Sequence, residues 1–193
     1  SKMRKICCFV LMLMAMNSHS QTKKIKPIFT SINSIGSVWG SSQNVTVFQT
    51  INGISYQDWN IGLGLAFDSY GSQSTPIFID VRKSISKNSN IFFYADAGVN
   101  IPWRTTNFPK KYSWNNEDAF KLKTTFYGET GVGLKKQIAN KTYFVASLGY
   151  SYKHFSYIEQ NVYSWGIGGV DGKTDYAYDY YYKRLALRLG IQF

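Results

Sequence analysis

The sequence predicts an all-β fold, an eight-stranded antiparallel up-and-down transmembrane β-barrel. Apolar residues recur with a period of two along most of the chain, as in strands with one apolar face. Most of these segments run for about 10–14 residues, the length at which a tilted strand crosses a bilayer. Short polar links alternate with longer ones, as expected for strands that run up and down.

Eight strands are predicted after residue 30, at about 31–39, 43–51, 57–68, 75–86, 89–102, 122–137, 141–157 and 180–193. The third is the clearest. In "DWNIGLGLAFD" every second residue from Trp59 to Phe67 is large and apolar. The last, "RLALRLGIQF", alternates likewise, with Arg184 and Arg188 on its other face. The first two strands have mixed faces, so they carry the weakest signal.

The links fall into two sets by length. The segments "NGISY", "SKNSN" and "QIANK" are short and built of Asn, Gly, Ser and Lys, as tight hairpin turns require. The other set includes two long stretches, residues 103–121 and 158–179, which we expect to be external loops. An even number of strands brings both ends of the barrel to the same side of the membrane.

The first twenty residues have the layout of a secretory signal peptide. A basic start, "KMRK", precedes the apolar run Ile6–Met16 and the small residues "SHS". That run is shorter than the roughly 20 residues of a membrane-spanning helix, which argues against the alternative of an uncleaved anchor. We therefore expect a signal peptide at 1–20, a periplasmic N-terminal segment at 21–30 and the barrel at 31–193.

Composition excludes several kinds of site. Cys7 and Cys8 lie in the predicted signal peptide, so the exported chain has no disulfide, cysteine metal site or cysteine nucleophile. The histidines are His19 and His154, and the sequence contains no P-loop and no dinucleotide fingerprint. We expect no metal, no cofactor and no nucleic-acid partner. The formal net charge of +11 is compatible with an anionic lipid surface.

A soluble sandwich or a lipocalin-like barrel is the alternative to a membrane barrel. Aromatic residues near the strand ends favour the membrane, because outer-membrane barrels carry aromatic girdles at both interfaces. These residues are Trp59, Phe67, Trp103, Tyr143, Phe144, Tyr180 to Tyr182 and Phe193. A sheet that spans hydrocarbon must also close, since an open edge leaves unpaired backbone groups.

With these features the chain resembles the bacterial outer-membrane β-barrel superfamily, and specifically its small eight-stranded OmpA/OmpX-like barrels. The resemblance covers nearly all of residues 31–193. The stretches "INGISYQDWNIGLGLAFDSY" and "TPIFIDVRK" resemble barrels of the Bacteroidetes. The resemblance implies an outer-membrane location, with outer-membrane lipid and lipopolysaccharide as neighbours. It also implies that the barrel-assembly machinery recognises the terminal strand through Phe193.

If the apolar faces meet lipid, eight charged residues point inward. They are Asp68, Asp80, Arg82, Asp96, Glu129, Lys135, Arg184 and Arg188. An eight-stranded barrel is just wide enough for side chains to fill it, and buried charges must be paired. We expect an internal network of salt bridges and hydrogen bonds in a plugged barrel. A narrow, porin-like ion path is the alternative.

One constellation suggests catalysis. In "KHFSYIEQN", His154 and Ser156 are two residues apart on one strand face, and Glu159 follows. A serine, a histidine and a carboxylate can form a hydrolase triad. The pair is similar to that of lipid A 3-O-deacylases, which are eight-stranded barrels with a His-x-Ser pair on the outer face. Tyr157 replaces the Asn of that family, and the family's carboxylate lies further along the chain.

The sequence thus predicts a non-enzymatic outer-membrane barrel. We expect a structural protein, an accessory subunit of a larger outer-membrane complex, or a surface-contact protein that uses the loops 103–121 and 158–179. The alternatives are a lipid A deacylase-like hydrolase using His154 and Ser156, and a narrow pore.

Overall fold

The computed structural model describes residues 26–41, 43–85, 89–104, 120–163 and 172–193. These residues form nine strands: β1 (Ile28–Trp39), β2 (Asn44–Tyr56), β3 (Trp59–Asp68), β4 (Gln73–Ser84), β5 (Ile91–Arg104), β6 (Phe120–Lys123), β7 (Thr125–Ala139), β8 (Thr142–Tyr163) and β9 (Gly172–Gln192). The signal peptide predicted at 1–20 lies outside the described residues. Strand β1 begins at Ile28, inside the segment predicted as 21–30.

The strands close into a ring of eight. The short β6 and the long β7 pair with successive parts of β8, so together they form one wall strand interrupted at Thr124. Every pairing is antiparallel, and β9 pairs with both β8 and β1. This confirms the predicted eight-stranded antiparallel barrel. Among the described residues no helix is long and apolar enough to cross a membrane.

One predicted turn is wrong. The segment "NGISY" is not a turn but the end of β2, which continues to Tyr56. The chain reverses at Gln57 and Asp58, where Gln57 has a positive φ of 55°. Gly53 lies within the strand, close to the backbone of β3 at Ile61 and Gly62. A Cβ at this position would clash with that backbone, which explains why the residue is glycine. The glycine here serves a close approach of two strands, not a reversal.

The two predicted long loops are also shorter than expected. Strand β8 extends to Tyr163 and β9 begins at Gly172, so much of 158–179 is a paired hairpin. Likewise residues 103–104 belong to β5 and 120–121 to β6. The remainders, 105–119 and 164–171, lie outside the described residues. The end of the barrel with this hairpin is called the hairpin end below, and the end with the turns at Gln57 and Lys141 the turn end.

The outer surface is apolar over most of the wall. Leu63 is 66% exposed and Leu185 is 54% exposed, and their strands alternate exposed with buried positions. Two sets of side chains fill much of the interior among the described residues. One is an apolar cluster of Ile32, Val38, Val47, Ile51, Ala66, Phe78, Tyr127 and Ala186. The other is a set of buried charges from β3, β4, β5, β7, β8 and β9, described next.

Candidate functional site

Glu129, on β7, is the most heavily bonded carboxylate in the lumen. Both terminal nitrogens of Arg188 bind its two oxygens, with Nη2 to Oε2 at 2.6 Å. The hydroxyl of Tyr94 donates to it at 2.8 Å and that of Tyr127 at 3.0 Å. These donors come from β5, β7 and β9, so this one residue ties three wall strands together across the interior.

Two more carboxyl groups lie beside Glu129. Asp80 on β4 is the cross-strand partner of Asp96 on β5, and Asp96 is the partner of Glu129. The Nε of Arg82 binds both oxygens of Asp80, at 2.9 and 3.0 Å. We call Asp80, Asp96 and Glu129 the acidic row.

A second ionic cluster lies nearer the hairpin end, around Asp68. Its Oδ2 is 2.6 Å from Nη1 of Arg184 and 3.4 Å from Nζ of Lys153. Lys153 also donates to the backbone carbonyl of Tyr70 at 2.9 Å, and Arg184 donates to the hydroxyl of Ser151 at 2.9 Å. All the charged groups of this cluster are almost completely buried.

The structure places the eight sequence-predicted lumen charges as follows. Six are joined in ion pairs: Asp68, Asp80, Arg82, Glu129, Arg184 and Arg188. Asp96 lies in the acidic row, and Lys135 lies over the ring of Tyr143 with its Nζ 4.6 Å from the centroid. Lys153 is absent from the predicted lumen charges. It lies two residues after Ser151 on β8, so both side chains face inward.

His154, Ser156 and Asp179 meet on the outer face of the hairpin. Nε2 of His154 is 2.9 Å from Oδ1 of Asp179, which is the cross-strand partner of Ser156. The Ser156 hydroxyl and then His154 bind Asp179 and hold its pKa below the ordinary value. Asp179 lies beyond the apolar outer positions that end at Leu185.

This arrangement differs from the predicted one. Glu159 lies on the opposite face of β8 from His154 and Ser156, because its position differs from theirs by an odd number, five and three. The carboxylate at the cluster is Asp179. Asp179 receives both partners, and no hydrogen bond joins Ser156 to His154 among the described residues. In a serine hydrolase triad the imidazole bonds to the serine hydroxyl, whereas here the imidazole of His154 bonds to Asp179.

Tyrosines cover the inner face of the same hairpin. Tyr178, Tyr180 and Tyr182 alternate along β9 on the face that carries Arg184. The rings of Tyr180 and Tyr182 are 6.3 Å apart at 12°, and Tyr157 of β8 is 6.2 Å from Tyr180 at 8°. The sequence shows this alternation at 176–182, although the predicted last strand begins only at residue 180. Tyr178 and Tyr180 are 37% and 38% exposed, so the hairpin presents an aromatic face.

Among the described residues, polar side chains group together on the outer face of β1 and β2. Asn33, Thr50 and Asn52 face outward there, beside Ser31. The hydroxyl of Thr50 donates to Oδ1 of Asn33 at 2.9 Å. We call these four residues the polar strip.

Apolar side chains border the polar strip on both sides. Ile191 is the cross-strand partner of Asn33, and Leu65 is the partner of Thr50. A groove of about 810 Å³ runs over the Asn33 and Thr50 end of the strip, with apolar walls from β2, β3, β8 and β9. The strip therefore lies within the apolar outer surface and not at its edge.

The described residues contain no group of three or more His, Cys, Asp or Glu side chains that could hold a metal ion. No family model matches the chain, and no curated protein matches it. Among solved structures the chain is similar to the outer membrane protein AlkL, determined by solid-state NMR in DMPC lipid bilayers. That likeness has a TM-score of 0.42 and 14% identity, and covers 92% of this chain and 96% of AlkL. The eight-stranded ring itself is established by the strand pairing described above.

Proposed function

We propose that the protein is a bacterial outer-membrane barrel with a packed lumen, which holds an aromatic hairpin above the membrane surface. The observation that carries this is the closed ring with apolar side chains outside and ion pairs inside. A soluble barrel of this kind would expose Leu63, Leu65 and Leu187 to water, whereas in a bilayer they meet lipid. Cell fractionation with heat-modifiable gel mobility tests the location, and recovery from the soluble fraction would refute it.

The lumen supports a plug and not a pore. Arg184 is 2% exposed and Arg188 is 4% exposed, and aromatic rings such as Phe78 fill the space between charged groups. A barrel of eight strands leaves little room beyond its own side chains. In planar bilayers we expect no steady conductance from the purified protein. Sustained, reproducible channels would overturn this part of the proposal.

The hairpin formed by β8 and β9 is the proposed contact surface. Tyrosine gives large contact area with little conformational freedom to lose, and it is enriched where proteins bind partners. Replacing the exposed Tyr178 and Tyr180 with Ser should abolish binding of the protein to its surface partner while the barrel still assembles. Replacing Tyr150, an exposed tyrosine of the lipid-facing wall, is the matched control.

We propose that His154, Ser156 and Asp179 fasten the hairpin and do not hydrolyse lipid A. The support is the placement of Asp179 between the two other side chains. Purified wild-type protein and Ser156→Ala should both leave lipid A acylation unchanged in a deacylation assay. Activity in the wild type that is lost in Ser156→Ala would establish the hydrolase instead.

The polar strip favours a second candidate function, an accessory subunit of a larger outer-membrane complex. Uncharged polar side chains facing hydrocarbon are costly unless they find hydrogen-bond partners, and Asn and Thr join membrane segments in this way. A partner protein bound along β1 and β2 would cover them. Pull-down from detergent-solubilised membranes should recover that partner with the wild type and lose it with Asn33→Leu/Asn52→Leu.

Thr130 provides the control for that experiment. It also faces outward, but its hydroxyl donates to the carbonyl of Tyr94 at 3.1 Å and is satisfied within the wall. Thr130→Val should leave the pull-down unchanged. Loss of the partner in Thr130→Val as well would show that the polar strip is not the contact.

A further inference from the structure

The acidic row places three carboxyl groups side by side in the lumen. Asp80, Asp96 and Glu129 are 0%, 3% and 4% exposed, and they occupy neighbouring strands at matching register. Like charges at this spacing, away from water, cannot all remain ionised without compensation. The question is which groups supply that compensation.

The hydrogen bonds donated to the row by described side chains go to its two outer members. Glu129 receives Arg188, Tyr94 and Tyr127. Asp80 receives Arg82, whose Nε lies between both carboxylate oxygens. The row therefore has three carboxyl groups against two guanidinium groups. The middle member is the one without a cation.

Asp96 is that middle member. Both of its carboxyl oxygens are buried, and neither receives a hydrogen bond from a donor among the described residues. Its side chain is nevertheless within hydrogen-bonding contact of Asp80. Two carboxylates have only acceptor atoms and cannot form that bond, whereas a carboxylic acid and a carboxylate can.

We propose that the Asp80–Asp96 pair is a binding site for one proton, held on Asp96 and donated to Asp80. Asp80 is the acceptor because Arg82 already compensates its charge. The row then carries two negative charges against two guanidinium groups, and one of the two orphaned oxygens of Asp96 has a partner. This goes beyond the proposed function, since it assigns a protonation state to the interior and applies to a barrel with any external partner.

Infrared spectroscopy tests the proposal on the full-length protein in detergent micelles at neutral pH. A carboxylic acid has a C=O stretch that is resolved from carboxylate bands, and aspartate labelled with ¹³C identifies its source. We expect one such aspartic acid band in the wild type and its loss in Asp96→Asn. Absence of the band in the wild type, or its persistence in Asp96→Asn, would overturn the proposal.

Thermal unfolding gives an independent comparison between two buried aspartates. In Asp96→Asn an amide N–H replaces the donated O–H, so the melting temperature should stay within about 2 °C of the wild type or rise. Asp68→Asn removes the carboxylate that pairs with Arg184 and Lys153, and should lower the melting temperature by more than about 4 °C. Equal decreases in melting temperature for the two variants would refute the shared proton. A bound cation would also refute it, and would be recognised by a lower melting temperature in Asp96→Asn together with no carboxylic acid band in the wild type. If Asp96→Asn does not refold, the presence or absence of the aspartic acid band in the wild-type infrared spectrum decides whether the proposal stands.

Discussion

Strands β1 and β2 distribute polarity less regularly than β3. In β3 the outward residues are large and apolar and the inward ones are small or polar. In β1 and β2 the inward residues include Ile32 and Ile51, while Asn33 and Asn52 face out. The interior consequently has an apolar side along β1 and β2, while the buried charges, which form its ionic side, come from β3 to β5 and β7 to β9. On the outer surface of β1 and β2, the polar strip interrupts apolar positions such as Ile35 and Ile54.

This difference shows that one barrel can be filled in two ways. On the ionic side, a few charged side chains span the lumen and each touches several strands, as Arg188 and Glu129 do. On the apolar side, the filling is by close packing of aliphatic groups against Phe78 and Tyr127. The ionic side should therefore depend on single residues, while the apolar side should lose stability in proportion to the volume removed.

The largest effect should come from breaking the ionic side at Arg188. Arg188→Met leaves Glu129 buried without its cation, which costs about 3–5 kcal/mol of the free energy of unfolding. Arg184→Met is the matched comparison and should cost less, because Asp68 retains Lys153. Urea unfolding in micelles, followed by tryptophan fluorescence, measures both. Equal losses would show that the two ionic clusters do not differ in this way.

The apolar side is probed at Ile51, which is 1% exposed. Ile51→Ala removes packed methyl groups and leaves a cavity, so we expect a loss of about 2–5 kcal/mol. Ile51→Val should cost about 0.5–1.5 kcal/mol. The same unfolding assay measures the series. Equal losses of unfolding free energy in Ile51→Ala and Ile51→Val would mean that this side of the lumen is not close-packed.

The outer wall can be compared at a single register position, since Asn52 and Leu63 are cross-strand partners that both face outward. Leu63→Arg should cost up to about 2–4 kcal/mol, because it puts a charge against hydrocarbon. Asn52→Leu should cost nothing or stabilise the isolated barrel. Folding titrations into lipid vesicles measure both variants. If Leu63→Arg is tolerated as well as Asn52→Leu, this part of the wall does not face lipid.

The smallest effect is expected at Asp179. Its folded pKa is lowered, so its contribution is complete above the unfolded value of about 3.9 and is lost as the pH falls through the folded value. The protection of amides in β8 and β9 against hydrogen exchange, relative to the intrinsic exchange rate at the same pH, should fall below about pH 4 in the wild type. In Asp179→Asn this protection should be low at all pH values. A pH response that survives in Asp179→Asn would assign the effect to another group.

The sequence could predict the ring because its period of two is clear in six of the eight wall strands. It could also indicate which charges face inward, since facing follows from alternation with residues such as Leu187. The pairing of those charges depends on strands far apart in the chain that do not pair with each other, as Arg184 on β9 with Asp68 on β3 shows. Alternation alone cannot provide that register, nor show that Asp179 and not Glu159 reaches His154.

Two misses have a local cause. The dipeptide Asn52-Gly53 is a common turn signal, but here the glycine permits close strand contact and the asparagine faces outward. The mixed polarity of β1 and β2 weakened their strand signal for the same reason that it forms the polar strip. In the hairpin, polar residues between the tyrosines of β9 concealed a regular alternation.

The central claim is that the apolar wall faces lipid and the hairpin stands in water. Spin labels at Leu63, Leu65 and Leu187, with Cys7 and Cys8 replaced, measure this directly in reconstituted vesicles by their accessibility to oxygen and to a water-soluble nickel complex. The account predicts contact with oxygen and none with nickel at these three positions, and strong contact with nickel at a label on Lys183 or Asp179. Nickel access at the three leucine positions would contradict it.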